Sequence, residues 1–180
     1  KSLKQIISNR LEKLDKIRQL GVNPYPYDFN LTHSTSEIEK KHIDKEVSVA
    51  GRVMSLRKMG KAAFANIQDE KGRIQLYIAR DDVGEDNYAL FKLVDIGDFI
   101  GIDGKVFVTK TDALTVKASK VTILSKNLRP IPDVKEKDGT VRPSFAMIKQ
   151  VNGKDVLLDL NHPLAGHTII FKVKIVDINE

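Results

Sequence analysis

Apolar residues recur every three or four positions at the start of the chain and every second position from residue 47 onward. Leu3, Ile6, Ile7, Leu11, Leu14, Ile17 and Leu20 fall at helical spacing, with Lys4, Arg10, Lys13, Lys16 and Arg18 mostly on the other side, so an amphipathic helix is predicted over residues 3–20. Gly21 can cap its end, and the prolines of Asn23-Pro24-Tyr25-Pro26-Tyr27 forbid continuation. A basic helix face of this kind is either simply solvated or set against a polyanion; the spacing does not separate the two. Residues 28–46 are polar and mixed in sign and read as a connector with a short helical turn at 36–41. From Val47 the period becomes two. Runs at 47–59, 63–69, 73–80, 99–110 and 114–125 read as five strands, with a short helix at 87–94 between the third and fourth. Leu128-Arg129-Pro130-Ile131-Pro132 ends this unit. Residues 133–142 read as a linker, and 143–180 resume a strand pattern, notably at 155–159 and 168–178.

Three strands, a helix and two more strands is the order of a five-stranded Greek-key barrel of the oligonucleotide-binding (OB) type, which holds nucleic acid on its second and third strands and two loops. The expected fold class is therefore mainly β. An N-terminal helix and connector (1–46) precede the barrel (47–132), and a linker (133–142) leads to a short β-rich annex (143–180). Side chains alternate along strands, so if Ile67, Ile74, Leu76 and Ile78 face the interior, Phe64, Asn66, Gln68, Arg73, Gln75 and Tyr77 face outward. That outer face combines two aromatics able to stack on bases, amides able to read base edges and an arginine for phosphate. On the residues alone, an ordinary solvated sheet face with one covering aromatic is an equal alternative. Arg57, Lys58 and Lys61 add positive charge just before the second strand. First strands of such barrels bend and bulge, so the periodicity assigns Arg57 to neither face.

Charge narrows the choice of partner. The 180 residues carry 30 Lys and Arg against 24 Asp and Glu, a net +6, and the excess lies before residue 135. This favours a polyanion without requiring one. The chain has no cysteine, which excludes disulfides and thiolate metal sites and fits a reducing compartment. No apolar run approaches the ~20 residues that span a bilayer, so a soluble, cytoplasmic protein without membrane partners is expected. His33, His42, His162 and His167 share no metal-ligand spacing with carboxylates, and Asp81-Asp82 reads as a helix or loop cap, so no metal site is expected.

The run VSVAGRVMSLRKMGKAAFANIQDEKGRIQLYIARDD (47–82) resembles the anticodon-binding domain of bacterial class II lysyl-tRNA synthetases. So do LDKIRQLGVNPYPYDF (14–29), VDIGDFIGIDGKVFVTKT (94–111) and LSKNLRPIPD (124–133), and together the resemblance covers about residues 10–138. Aspartyl and asparaginyl relatives share the barrel, but the MGKAxF and QDxxGRIQLY signatures point to the lysyl branch. The resemblance implies that lysine tRNA is the partner. It also implies a stacking role for Phe64, a base-reading role for Gln75 and a basic contact at Arg57, with Lys61, Asn66, Arg73, Tyr77 and Asp112 as further candidates for RNA contact. Where the family usually has Gly-Glu between the last two strands, this sequence has Asp112-Ala113. Ala113 thus replaces the glutamate that helps fix the middle anticodon base, and either discrimination there weakens or Asp112 substitutes.

Activation of lysine with ATP and Mg²⁺ belongs, in this family, to a catalytic domain that follows LRPIPD and starts with an Arg- and Tyr-rich dimer-interface motif. That motif is not found here, nor is a Walker loop, nucleophile elbow or zincin motif. The expectation is a chain with no catalytic residues and no cofactor of its own, taken from a ligase that uses ATP and Mg²⁺ and that is homodimeric if the family pattern holds. The alternative is a general single-stranded RNA-binding or protein-interaction module. The tail MIKQVNGKDVLLDLNHPLAGHTIIFKVKIVDI (147–178) resembles the C-terminal part of SlyD-like FKBP prolyl isomerases. Only that last portion is present, which implies no isomerase activity but allows a chaperone-like or edge-covering role.

Overall fold

A computed structural model describes residues 2–130 and, beyond them, 133–135, 141–143, 147–152 and 155–159. Two units separate near Pro130.

In the first unit, helix α1 (Leu3–Gln19) begins at a capping box in which the Ser2 hydroxyl accepts the Gln5 amide while Gln5 accepts the Ser2 amide. It ends where Gly21 turns left-handed, with φ +73°. The amphipathic reading needs one correction. Leu14 and Ile17 are buried, but Leu3, Leu11 and Leu20 are exposed, and Arg10, expected on the polar side, is buried. Its guanidinium donates to the carbonyls of Asn127 and Ile96 at 2.8 and 3.0 Å. Two single 3₁₀ turns, Thr35–Glu37 and Lys40–His42, occupy the connector where one helical turn was expected.

Strands β1 (Glu46–Met59), β2 (Ala62–Gln68), β3 (Arg73–Ala79), β4 (Phe99–Val108) and β5 (Leu114–Ser125) close a barrel in the order β1-β2-β3-β5-β4. All five match the sequence expectation to within two residues. Closure comes from a short parallel pairing of β3 with β5. A four-residue helix α2 (Arg80–Val83) and α3 (Glu85–Lys92) lie between β3 and β4; Arg80, expected to end the third strand, opens α2 instead. β1 serves two neighbours, pairing β4 through residues 46–52 and β2 through 52–59, with a bulge between Val53 and Ser55.

The barrel interior is filled by β-branched and aliphatic side chains, including Val49, Val53, Ile67, Leu76, Ile78, Ile100, Ile102 and Ile123, all fully buried. One charged cluster sits beneath it. Lys126, inaccessible to solvent, places Nζ 2.6 Å from both Asp95 and Asp98 and 3.1 Å from the Leu93 carbonyl. Lys13 of α1 also pairs with Asp95, so helix and barrel share one ion network.

In the second unit, residues 133–142 were expected as a linker, yet Asp133–Lys135 (β6) pairs antiparallel with Val141–Pro143 (β7). Met147–Asn152 (β8) pairs with Asp155–Asp159 (β9). The strand expected at 168–178, together with His162 and His167, lies outside the described residues.

Candidate nucleic-acid interface

The outward faces of β2 and β3 carry the side chains that alternation assigned to them. Ala63, Ala65, Ile67, Ile74, Leu76 and Ile78 are buried, and the residues between them are half-buried or exposed. The registers arrange these outer residues into rows that run across four strands. Arg57, Phe64, Tyr77 and Lys117 form one row. Ser55, Asn66, Gln75 and Thr115 form the next, and Phe107 continues it onto β4. Neighbouring rows lie two residues, or roughly 7 Å, apart along the strands. The aromatic pair Phe64 and Tyr77 thus lies one row from the amides of Asn66 and Gln75.

Around these rows lies a groove of about 630 Å³ lined by Ser55, Leu56, Arg57, Phe64, Asn66, Gln75, Tyr77, Phe107, Thr109, Lys110 and Thr111. Three rings form its aromatic wall. Phe64 and Tyr77 are 5.1 Å apart at 51°, and Tyr77 meets Phe107 edge-on at 6.2 Å and 73°. Such tilted and edge-on contacts satisfy the ring quadrupoles. The polar side chains are tethered from one side only. Asn66 Nδ2 donates to Ser55 Oγ at 2.8 Å, and Gln75 lies 3.2 Å from the hydroxyl of Thr115, itself fully buried. Arg57 and Lys110 supply positive charge, and among the described residues no carboxylate lines the groove.

Five of the eight residues singled out from sequence thus converge: Arg57, Phe64, Asn66, Gln75 and Tyr77. Lys61, Arg73 and Asp112 do not. Lys61 lies in the β1–β2 turn, where its carbonyl accepts the Arg80 amide. Arg73 sits one row further along and donates through Nε to Gln68 at 2.6 Å. Asp112 adopts the left-handed region, with φ +58°, and its carboxylate lies 3.6 Å from exposed Lys40, outside the groove lining. Glycine, which the resemblance leads one to expect at that place, would take this backbone without strain. Lys58, grouped with Arg57 by charge, points the other way, as alternation along β1 requires. It donates to the carbonyls of Lys92 and Val94 at 2.8 and 3.2 Å, at the C-terminal end of α3, and burial there lowers its ammonium pKa.

Sequence reasoning missed Ser55, Leu56, Phe107, Thr109, Lys110 and Thr111. Phe107 was accessible to it, since it follows the buried alternation Ile102, Gly104, Val106 by one residue. The Thr109–Ala113 turn was not: it is held by Thr109 and Ala113, each donating its amide to the other, at 3.0 and 3.1 Å, and no period announces it.

The hairpin that carries the face is pinned from behind. Asp69 accepts the amides of Thr35, Lys71 and Gly72 and the Thr35 hydroxyl, all at 2.7–2.8 Å. Burial raises the pKa of this carboxyl, but the bonds from Thr35, Lys71 and Gly72 outweigh it and hold it below the ordinary carboxylate range. Among the described residues no group of three or more His, Cys, Asp or Glu is placed to hold a metal ion, and no helix is long and apolar enough to cross a membrane. Asp81 and Asp82 lie in the first turn of α2, and Asp82 pairs with Lys117 at 2.6 Å. His42 accepts the Glu39 amide, and His33 packs edge-on against it.

Comparison with known proteins matches residues 47–124 to the tRNA anticodon family, described as an OB-fold nucleic acid binding domain. A protein of Listeria innocua named lysine–tRNA ligase is 48% identical over 134 residues, covering 69% of this chain. One of Chromobacterium violaceum with the same name is 48% identical over 139 residues and 72% of the chain, and one of Enterococcus faecalis is 43% identical over 134 residues and 69%. The chain spans only 27–28% of the length of these relatives. The resemblance of the tail to FKBP isomerases gains no support from these matches.

Proposed function

Since the barrel of residues 47–124 belongs to the OB-fold nucleic acid binding domain family and is homologous to part of lysine–tRNA ligases, we propose that this chain binds the anticodon loop of transfer RNA, with lysine tRNA as its cognate partner. The observation that carries the reading is the convergence, on one groove, of three aromatic rings, two side-chain amides and two cations. Phe64 stacks on a splayed base, Tyr77 and Phe107 extend the wall, Asn66 and Gln75 read base edges, and Arg57 and Lys110 hold the phosphodiester backbone.

The groove's aromatic rings, amides and cations suit recognition of a nucleic acid. In the parent protein, a lysine–tRNA ligase acting as a homodimer, ATP and Mg²⁺ supply the activation of lysine, and this domain supplies affinity and selectivity for the tRNA. Fluorescence anisotropy of the full chain with lysine tRNA, and with a version changed at the central anticodon uridine, tests the reading. Preference for the native anticodon is expected. Equal binding of unrelated RNAs reduces the chain to a general single-strand binder, and absence of binding removes the proposal.

A further inference from the structure

The Thr115 hydroxyl has two oxygen-bearing neighbours: the Ala113 carbonyl at 3.1 Å and the end of the Gln75 amide at 3.2 Å. A hydroxyl carries one proton. With Gln75 Oε1 turned toward Thr115, that proton serves one of two acceptors, and the other contact is a repulsive pair of oxygens. With the amide turned over, Thr115 donates to Ala113 and accepts an N–H from Gln75 Nε2, so both contacts become hydrogen bonds. The two ends of an amide have nearly the same size, and the orientation with the larger number of bonds prevails.

We propose that Thr115 is a positioning residue that holds the Gln75 amide with Oε1 toward the groove, so that the groove selects a base carrying an N–H on its pairing edge. The inference rests on the RNA-binding reading above and adds the sign of the recognition. The geometry suits this role. Thr115 is fully buried, so bulk solvent does not reach its hydroxyl, and it lies directly across the parallel β3–β5 pairing from Gln75. Ala113 belongs to the turn that brings Thr109, Lys110 and Thr111 to the groove, and its carbonyl also accepts the Thr109 amide at 3.0 Å. The same hydroxyl therefore ties the loop to the reading amide.

The test uses the full chain and the anticodon stem-loop of lysine tRNA, compared with stem-loops in which single anticodon positions carry 2-pyrimidinone. That base keeps the pyrimidine ring and lacks every N–H on the pairing edge. Wild-type protein should bind the natural loop roughly tenfold or more tightly than one of the substituted loops. Thr115→Val should bring that ratio close to one while retaining most of the affinity, and Thr115→Ser should restore it. Gln75→Glu offers an acceptor in either orientation and should keep the ratio near the wild-type value even as its charge weakens binding overall. If Thr115→Val gives no cooperative melt, the Ser and Glu variants carry the test. A wild-type protein that binds all the loops equally, a folded Thr115→Val that discriminates like wild type, or a Gln75→Glu that loses discrimination overturns the proposal. A wild-type protein that binds no stem-loop instead refutes the RNA-binding reading beneath it.

Discussion

At the scale of single residues, parity along a strand decides which side chains reach the groove. Val53 points into the barrel, and a strict period of two would send Ser55 and Arg57 inward with it. The bulge between Val53 and Ser55 inserts one residue and reverses the phase, so Ser55 and Arg57 emerge on the groove. Nothing in the residue types marks that bulge, which is why the sequence assigned Arg57 to neither face. Phe64 was legible because unbroken alternation runs through β2. Its ring lines the groove beside Tyr77, so Phe64→Ala should weaken binding of the lysine tRNA anticodon loop by about 1–3 kcal/mol through lost stacking. Titration by anisotropy checks this, and unaltered affinity would remove the stacking role. Asp112 is held at φ +58°, which a β-branched side chain tolerates poorly. Asp112→Val should therefore cost about 1–2 kcal/mol in denaturant unfolding.

Between elements, the contacts that matter are those the periodicity misassigned. Helix α1 was read as an apolar stripe against the barrel, yet it docks as much through Arg10 and Lys13, because the loop at residues 95–98 and the end of β5 present carbonyls and carboxylates there. Asp95 shows the consequence. Burial raises its pKa, but hydrogen bonds and charge from Lys126 and Lys13 outweigh that and hold it below the ordinary value. A carboxyl depressed in the folded state stabilises the protein above its unfolded pKa of about 3.9, and that contribution disappears as pH falls through the lower folded value. Asp95→Asn should therefore be less stable than wild type at pH 7, by on the order of 2 kcal/mol, and the gap should close below about pH 4. Thermal melts of both proteins from pH 7 to pH 3 measure it; a gap independent of pH would mean that Asp95 acts by packing alone. Gly104 supports the β4–β5 pairing in another way. A Cβ there would lie 2.1 Å from the Lys117 carbonyl oxygen, so Gly104→Ala should destabilise the barrel by about 1–3 kcal/mol.

On the scale of the whole molecule, the order of elements along the chain implied a barrel and alternation gave the outward residues of β2 and β3, but the cross-strand registers that line them up in rows were not legible in local pattern. The parallel pairing of β3 with β5 joins residues forty positions apart, Gln75 with Thr115 and Tyr77 with Lys117, and with the β4–β5 pairing it brings Phe107 and the turn at 109–113 to the same groove. Charge has the same split between local and global. The net +6 draws any polyanion toward the chain, whereas among the described residues the cations lining the groove are Arg57 and Lys110. These two roles leave different traces in salt. Each cation that displaces a counterion from single-stranded RNA contributes about −0.7 to the slope of log affinity against log salt, so replacing Arg57 and Lys110 together by alanine should flatten the slope by about 1.4. Replacing Lys4 and Lys16, exposed on α1 and away from the groove, removes the same net charge. If the groove is the binding site, that second double variant should lower the association rate and leave the slope nearly unchanged. Equal flattening by both pairs would mean that RNA lies along the helix as well as across the barrel.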